Sequence, residues 1–282
     1  MVVVEHPQSM EIREIGAFSP EHTFECGQCF RFTPHPKGGY AGVAFGRFLH
    51  LWYENDALFL QTTRNDFEQY WRTYLDLDRD YNVIDRILCG DPLLKQAVDF
   101  GRGLRVLAQE PWEALCTFIL SQCCNIPRIR AMTETLCRLF GTPVSNTDEQ
   151  QLYAFPEPQT LAECTEADLA PVRAGYRARY VLSAARRVAG GFDLDALRSL
   201  TTEQARKQLM ELDGVGRKVA DCVLLFGLQK LDAFPVDTWM KKASGLWTSG
   251  FPTHLFGETA GIAQQYIFYY VRSQKSSGQA QK

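Results

Sequence analysis

The stretch Leu209 to Gly227, LMELDGVGRKVADCVLLFG, decides the fold. Upstream of it, Thr201 and Gln204 have the spacing of a capping box, which starts a helix whose apolar face runs on through Leu209 and Leu212. Gly214-Val215-Gly216 breaks that helix, and a second begins at once with Arg217 and Lys218. A Gly-hydrophobic-Gly turn between two helices leaves the amides of the turn and of the next first turn unpaired, so it binds a phosphate without reading sequence. The glycines supply the backbone conformations of the turn and let a nucleic-acid strand come close. The stretch is not a phosphate-cradling Walker loop, because Lys218 is neither preceded by Gly nor followed by Ser or Thr. Nor is it a dinucleotide fingerprint, since Val219 stands where the third Gly belongs.

Lys218 falls in the first turn of the second helix, where the positive end of the helix dipole disfavours an ammonium. To act as a nucleophile near neutral pH, its pKa must fall from about 10.4 to about 7 or 8, a differential interaction of roughly 3 to 4 kcal/mol. A lysine that only grips phosphate fits the hairpin equally well. Cys222, one helical turn further on, shares the lysine's face. Nineteen residues beyond Lys218, in Phe234-Pro235-Val236-Asp237-Thr238-Trp239, Asp237 follows a proline turn and precedes a helical run. That is an N-cap position. A carboxylate there can also face a developing cation.

Working outward, the first sixty or so residues alternate and turn often, as in Gly39 to Phe45 and Phe48 to Tyr53, with breaks at Pro34 to Gly39 and Glu54 to Asp56. They read as antiparallel sheet. From about Asp66 the period becomes helical, with amphipathic stretches at Asp91–Phe100, Pro111–Gln122, Ile129–Phe140, Ala178–Ala189, Thr202–Leu212, Arg217–Gly227 and Thr259–Ser273. Strands first and helices after predict an α+β protein. The division expected is a sheet domain over 1–98 and a helical region over 99–282, with the hairpin at about 202–227. The polar tail from Ser273 to Lys282 is expected to fray.

Composition narrows the classes. At 282 residues with 45% hydrophobic and 22% charged, the chain is long enough for a large core and is neither disordered nor fibrous. No run nears the roughly 18–20 apolar residues of a membrane span, and Met1 to Met10 lacks the pattern of an export signal, so a cytoplasmic chain with no membrane partner is expected. Nine cysteines, an odd number, predict free thiols. Cys26 and Cys29 have no second Cys/His pair at zinc spacing, so packing is the expected role and no metal site is expected. The net charge of −3 argues against nucleic acid only if it is spread evenly. From Leu139 to Val172 there are six acids and no Lys or Arg, whereas Leu169 to Phe192 holds Arg173, Arg177, Arg179, Arg186 and Arg187 and no acid. One face can be positive under a negative total; a solvated helix face with ordinary ion pairs is the plainer alternative.

The hairpin followed by Pro235-Val236-Asp237 resembles the helix-hairpin-helix, Gly/Pro-Asp superfamily of DNA glycosylases. Three further segments are similar to the 8-oxoguanine DNA glycosylase/AP lyase family within it: Cys26-Gly27-Gln28-Cys29-Phe30-Arg31, Gly175 to Tyr180, and Ala260 to Phe268. With Ser121-Gln122 to Ile129, the likeness runs over most of the chain in the family's order. It implies an N-terminal antiparallel sheet domain, TBP-like, and two helical subdomains flanking a cleft. It also implies a monomer acting on double-stranded DNA with oxidised guanine, no cofactor, and a place at the nucleoid of a bacterium or in the nucleus of a eukaryote.

Residue by residue, the resemblance makes Lys218 the nucleophile on deoxyribose C1′ and Asp237 the carboxylate that stabilises the oxocarbenium-like charge. The base must leave the stack, at a cost of a few kcal/mol. Tyr176 becomes the wedge, and Gly214, Val215 and Gly216 the phosphate grip. The Gly27 carbonyl accepts from the N7–H that 8-oxoguanine has and guanine lacks; Gln264 bonds the Watson–Crick edge, while Phe268 and Cys222 sandwich the ring. Arg128 and Arg177 read the orphaned cytosine. Cys123-Cys124-Asn125 stands where the family has consecutive asparagines, and a thiol is the poorer hydrogen-bond partner, so a looser choice of opposite base is expected. Two related enzyme classes fit less well. Endonuclease III-like glycosylases carry four clustered cysteines near the C-terminus, whereas here no Cys follows Cys222, and alkylation-repair glycosylases work without the hairpin lysine. A non-catalytic DNA-binding module is the alternative from outside the enzymes.

Overall fold

The computed structural model describes residues 1–145, 151–248 and 250–279, so Asp148 and Glu149 of the acidic stretch and the last three residues of the tail lie outside the described residues. Six strands, β1 (Val2–His6), β2 (Ser9–Arg13), β3 (Thr33–Pro34), β4 (Tyr40–Ala44), β5 (Arg47–Glu54) and β6 (Ala57–Leu60), form one antiparallel sheet in the order β1-β2-β6-β5-β4-β3. Two-residue turns set the register, pairing Ala44 with Arg47 and Glu54 with Ala57. Both turn residues are left-handed in each, Phe45 and Gly46 in the first and Asn55 and Asp56 in the second, which matches the right-handed twist of the strands. Phe45 tolerates this because its amide donates to Glu110 and its ring packs against Trp71 and Tyr74. Met10, Ile12, Leu49, Leu51, Leu58 and Leu60 are fully buried against Phe24, Phe32, Trp71 and Tyr74.

The helices form a second core. Its centre is the Pro111–Leu120 helix, buried continuously from Glu113 to Leu120, with Phe118 stacked on Phe226 at 5.3 Å. The hairpin appears as expected. Thr201 and Gln204 complete the capping box of the Thr202–Leu209 helix, and the Arg217–Cys222 helix runs on into a wider turn over Val223–Gly227. Short helices at Pro20–Glu25, Tyr81–Leu88 and Pro158–Ala162 were not foreseen. The first two start at Ser19 and Asp80, whose side chains accept from the amides of His22 and Asn82; the first is too short to show a clear period, while the second buries Tyr81, Ile84 and Leu88 on one face.

Two expectations need correction. The C-terminal helix spans Ala260–Gln279, so the segment expected to fray from Ser273 continues the helix through Gln279. The domain division at 98 does not follow the packing. Tyr81, Ile84, Leu88, Leu94, Ala97 and Val98 belong to the helical core, whereas the sheet's own core ends at Leu77 and takes only Leu107 from beyond. The 81–100 helices turn their apolar faces away from the sheet, and the buried Arg105 ties the two layers by donating to the carbonyls of Ala17 and Arg79. No helix among the described residues is long and apolar enough to cross a membrane.

Candidate active site

Five separate pieces of chain meet at one small cavity. Its lining includes Gly27 from the segment after the Pro20–Glu25 helix, Phe118 from the central helix, Lys218 and Cys222 from the hairpin's second helix, Asp237, and Gln264, Gln265 and Phe268 from the C-terminal helix. Lys218, Asp237, Gly27, Cys222, Gln264 and Phe268 were all singled out in the sequence, and the fold brings them together. Asp237 does cap the Thr238–Ser244 helix, its Oδ1 accepting from the amides of Trp239 and Met240 at 2.9 Å each, and it still faces the cavity. Lys218 Nζ donates to Ser121 Oγ at 3.1 Å and lies 5.1 Å from the centre of the Phe118 ring. Burial pushes the Cys222 thiol up to about 11 against the pull of Lys218, so it stays a neutral, polarisable wall at neutral pH.

Gln264 is 4% exposed, and its Oε1 has no hydrogen-bond partner. A buried amide oxygen left without a partner costs roughly 1–3 kcal/mol, which a bound donor returns. The cavity holds only about 50 Å³, room for a few waters rather than a purine. The wall at Phe268 is half-buried.

The hairpin turn is built around close approach. Gly214 has φ +75°, and a Cβ there would lie 2.4 Å from the Tyr180 ring. Its carbonyl accepts from Gln122 Nε2 at 3.0 Å, joining the hairpin to the 121–124 turn. Val215 is buried beneath the turn, whereas nothing stands within 4 Å of a Cβ on Gly216, and no side chain caps the helix that follows. The first-turn amides beside Lys218 thus have no side-chain cap.

The flanking surface differs from expectation at Arg177. It is 5% exposed, donating to the carbonyls of Gln122, Cys123 and Ala174. Here it braces the turn, because three carbonyls left over by the left-handed Cys123 and the helix start need donors. Arg186 likewise binds the carbonyls of Ala162 and Cys164, so for these two arginines neither a free basic face nor a set of ion pairs is what forms. Arg128 is exposed, reaching Arg173 O at 3.4 Å, and Tyr176 is 46% exposed at the start of the Arg177–Ala189 helix. Among the described residues no cluster of His, Cys, Asp or Glu is arranged to hold a metal.

Three side chains at the site were not picked out in the sequence: Ser121, Gln265 and Arg272. Ser121 was seen only as part of a matching segment. Gln265 and Arg272 carry a faint signal, polar residues seven apart that flank the apolar run Tyr266 to Val271, hence on one helix face.

Residues 12–115 match the 8-oxoguanine DNA glycosylase N-terminal domain, and residues 116–253 match the HhH-GPD superfamily of base excision DNA repair proteins. The chain belongs to that superfamily. It superposes on the 8-oxoguanine glycosylase/lyase of Clostridium acetobutylicum, solved with double-stranded DNA containing cytosine opposite 8-oxoG, with a TM-score of 0.92 at 35% identity, covering 98% of this chain and 99% of that one. A probable N-glycosylase/DNA lyase of Methanothermobacter thermautotrophicus is 30% identical over 75% of this chain and 76% of its own length. The N-glycosylase/DNA lyase OGG1 of Arabidopsis thaliana is 35% identical over 63% of this HhH-GPD chain, which spans 54% of that relative.

Proposed function

We propose that the protein is a bifunctional DNA glycosylase and AP lyase that removes 8-oxoguanine from duplex DNA, and that Lys218 is its nucleophile. The observation that carries this is one cavity holding an amine at Lys218, a carboxylate at Asp237 and a buried amide oxygen without a partner at Gln264. Lys218 Nζ, as the free amine, forms a bond to C1′ as the N-glycosidic bond breaks, and the electron pair leaves with the base. Asp237 offsets the positive charge that develops on the sugar and carries protons in the steps that follow. The attached nitrogen then gives up a proton and its lone pair breaks C1′–O4′, with O4′ taking a proton as the sugar ring opens; the resulting iminium on Lys218 acidifies the C2′ hydrogens, and loss of one expels the 3′ phosphate. The turn of Gly214, Val215 and Gly216 grips the backbone through amides beside that of Val215, which is given to Leu212 O, and Tyr176 fills the gap left by the flipped nucleotide.

Gly27, Gln264, Cys222 and Phe268 choose the base. The Gly27 carbonyl meets a donor in 8-oxoguanine and a lone pair in guanine, so the same atom attracts one and repels the other. Exposed Arg128 faces the orphaned base, while Arg177 holds the 122–123 turn in place. The protein acts where duplex DNA is kept, in the nucleoid or in the nucleus. Single-turnover incubation with duplexes carrying 8-oxoguanine or guanine opposite each of the four bases tests this. Release of the oxidised base alone is expected, with modest dependence on the opposite base because of Cys123; release of neither base contradicts the assignment.

A further inference from the structure

The backbone around Gly27 is held in an unusual way. Four carbonyls of this segment each take a side-chain donor from elsewhere in the fold. Phe24 O accepts from Arg130 at 3.3 Å, Glu25 O from Arg272, Cys26 O from Gln265 Nε2 at 2.9 Å and Gln28 O from Gln109 Nε2 at 2.7 Å. No side chain among the described residues takes the carbonyl between them, that of Gly27. Gly27 is half-buried and lines the cavity, so its carbonyl is the acceptor in this tethered run that is left open to a ligand.

Two of the tethers also reach the wall of the cavity. Gln265, Phe268 and Arg272 lie at positions i, i+3 and i+7 of the C-terminal helix, hence on one face. The Arg272 guanidinium sits 5.4 Å from the centre of the Phe268 ring, and its Nη1 has no partner. That nitrogen would stand 2.8 Å from a Cβ on Gly27, which has φ +85°. Arg272 therefore touches both the carbonyl ledge and the ring at the cavity wall.

We infer that Gln265 and Arg272 are positioning residues for lesion choice: by clamping the carbonyls of Cys26 and Glu25 they aim the Gly27 carbonyl into the base cavity. Their hydrogen bonds go to this ledge and neither is bonded to Lys218, which donates to Ser121, so they act on discrimination and not on Schiff-base chemistry. A hydrogen bond weakens steeply as its angle departs from linear, so a ledge freed of its clamp turns the carbonyl and loses the difference between an N7–H and a lone pair. The inference rests on the function proposed above.

The test replaces each residue with a side chain of similar length and no donor, Gln265→Met and Arg272→Met, and adds Arg272→Lys, which keeps a donor for Glu25 O. Two rates are read in each: excision of 8-oxoguanine relative to guanine, and borohydride trapping on duplexes that already carry an abasic site. Both methionine variants should lower the excision ratio tenfold or more while trapping stays within twofold of wild type, and Arg272→Lys should recover most of the ratio. An unchanged ratio, trapping that falls in step with excision, or a lysine variant no better than methionine overturns the clamp. Failure of the wild-type protein to release 8-oxoguanine overturns instead the function on which it rests.

Discussion

Lys218 Nζ donates to Ser121 Oγ at 3.1 Å, a bond between the hairpin's second helix and the end of the central helix. Ser121 Oγ in turn donates to Phe118 O at 2.8 Å, so the hydroxyl is oriented with a lone pair toward the lysine. Removing it leaves the amine free to rotate over Phe118. Ser121→Ala should slow borohydride trapping about tenfold, which corresponds to ~1.4 kcal/mol and is about the worth of one hydrogen bond, with duplex affinity unchanged. Wild-type trapping rates in the alanine variant would show that the contact does not position the nucleophile.

At Gly214 the turn depends on a missing Cβ. An alanine there must adopt φ +75° and push against the Tyr180 ring from 2.4 Å. The left-handed conformation alone costs roughly 1–2 kcal/mol. Gly214→Ala should lower the unfolding midpoint in urea and weaken binding to any duplex, damaged or not. Unchanged stability together with unchanged affinity contradicts the packing described.

The cysteines should divide by exposure. Cys123 is exposed, whereas Cys26, Cys29, Cys116, Cys137 and Cys222 are buried. Burial pushes Cys26 and Cys222 up to about 11 and Cys137 up to about 12, so their thiolates are scarce near neutral pH. Limited alkylation at pH 7.5 followed by peptide mass analysis should find Cys123 modified first and the five buried cysteines, Cys222 among them, only later. Early modification of Cys222 would mean that the cavity opens far more readily than its volume of about 50 Å³ indicates.

Glu113 gives the fold a pH dependence of known sign. Burial raises its carboxyl from 4.5 to about 7, only partly offset by Arg31 at 3.6 Å. The folded chain thus holds this proton more tightly than the unfolded one. Its share of stability is complete below about pH 4.5 and is lost as pH rises to about 7, by up to ~3 kcal/mol. Unfolding free energies measured from pH 4.5 to 8 should therefore fall more steeply in the wild type than in Glu113→Gln. Parallel curves for the two proteins would rule this out, whatever their offset.

Most of the architecture was legible in the sequence because the period changes once, from alternation to helical, and because Thr201, Gln204, Gly214 and Asp237 are residues with few local choices. Lys218, Asp237 and Cys222 were legible as a group because they lie on or beside one hairpin. What the sequence could not show is set by long-range packing. The 81–100 helices join the helical core because the C-terminal helix lies against them, as in the bond from Tyr266 to Asp85 at 2.8 Å. Arg177 looked like a surface arginine, yet it is buried by carbonyls some fifty positions away in the chain. Gln265 and Arg272 act on a segment about 240 positions earlier, a distance that no local pattern records.

The central claim is that Lys218 forms a covalent bond to the sugar of a damaged nucleotide. Wild-type protein and Lys218→Gln, incubated with an 8-oxoguanine duplex and borohydride, test it when the adducts are separated on a denaturing gel and mapped by peptide mass. An adduct on Lys218 is predicted with the wild type, absent with the unmodified guanine duplex and absent in Lys218→Gln, which should still bind DNA. An adduct that maps elsewhere, or that persists in Lys218→Gln, contradicts the account.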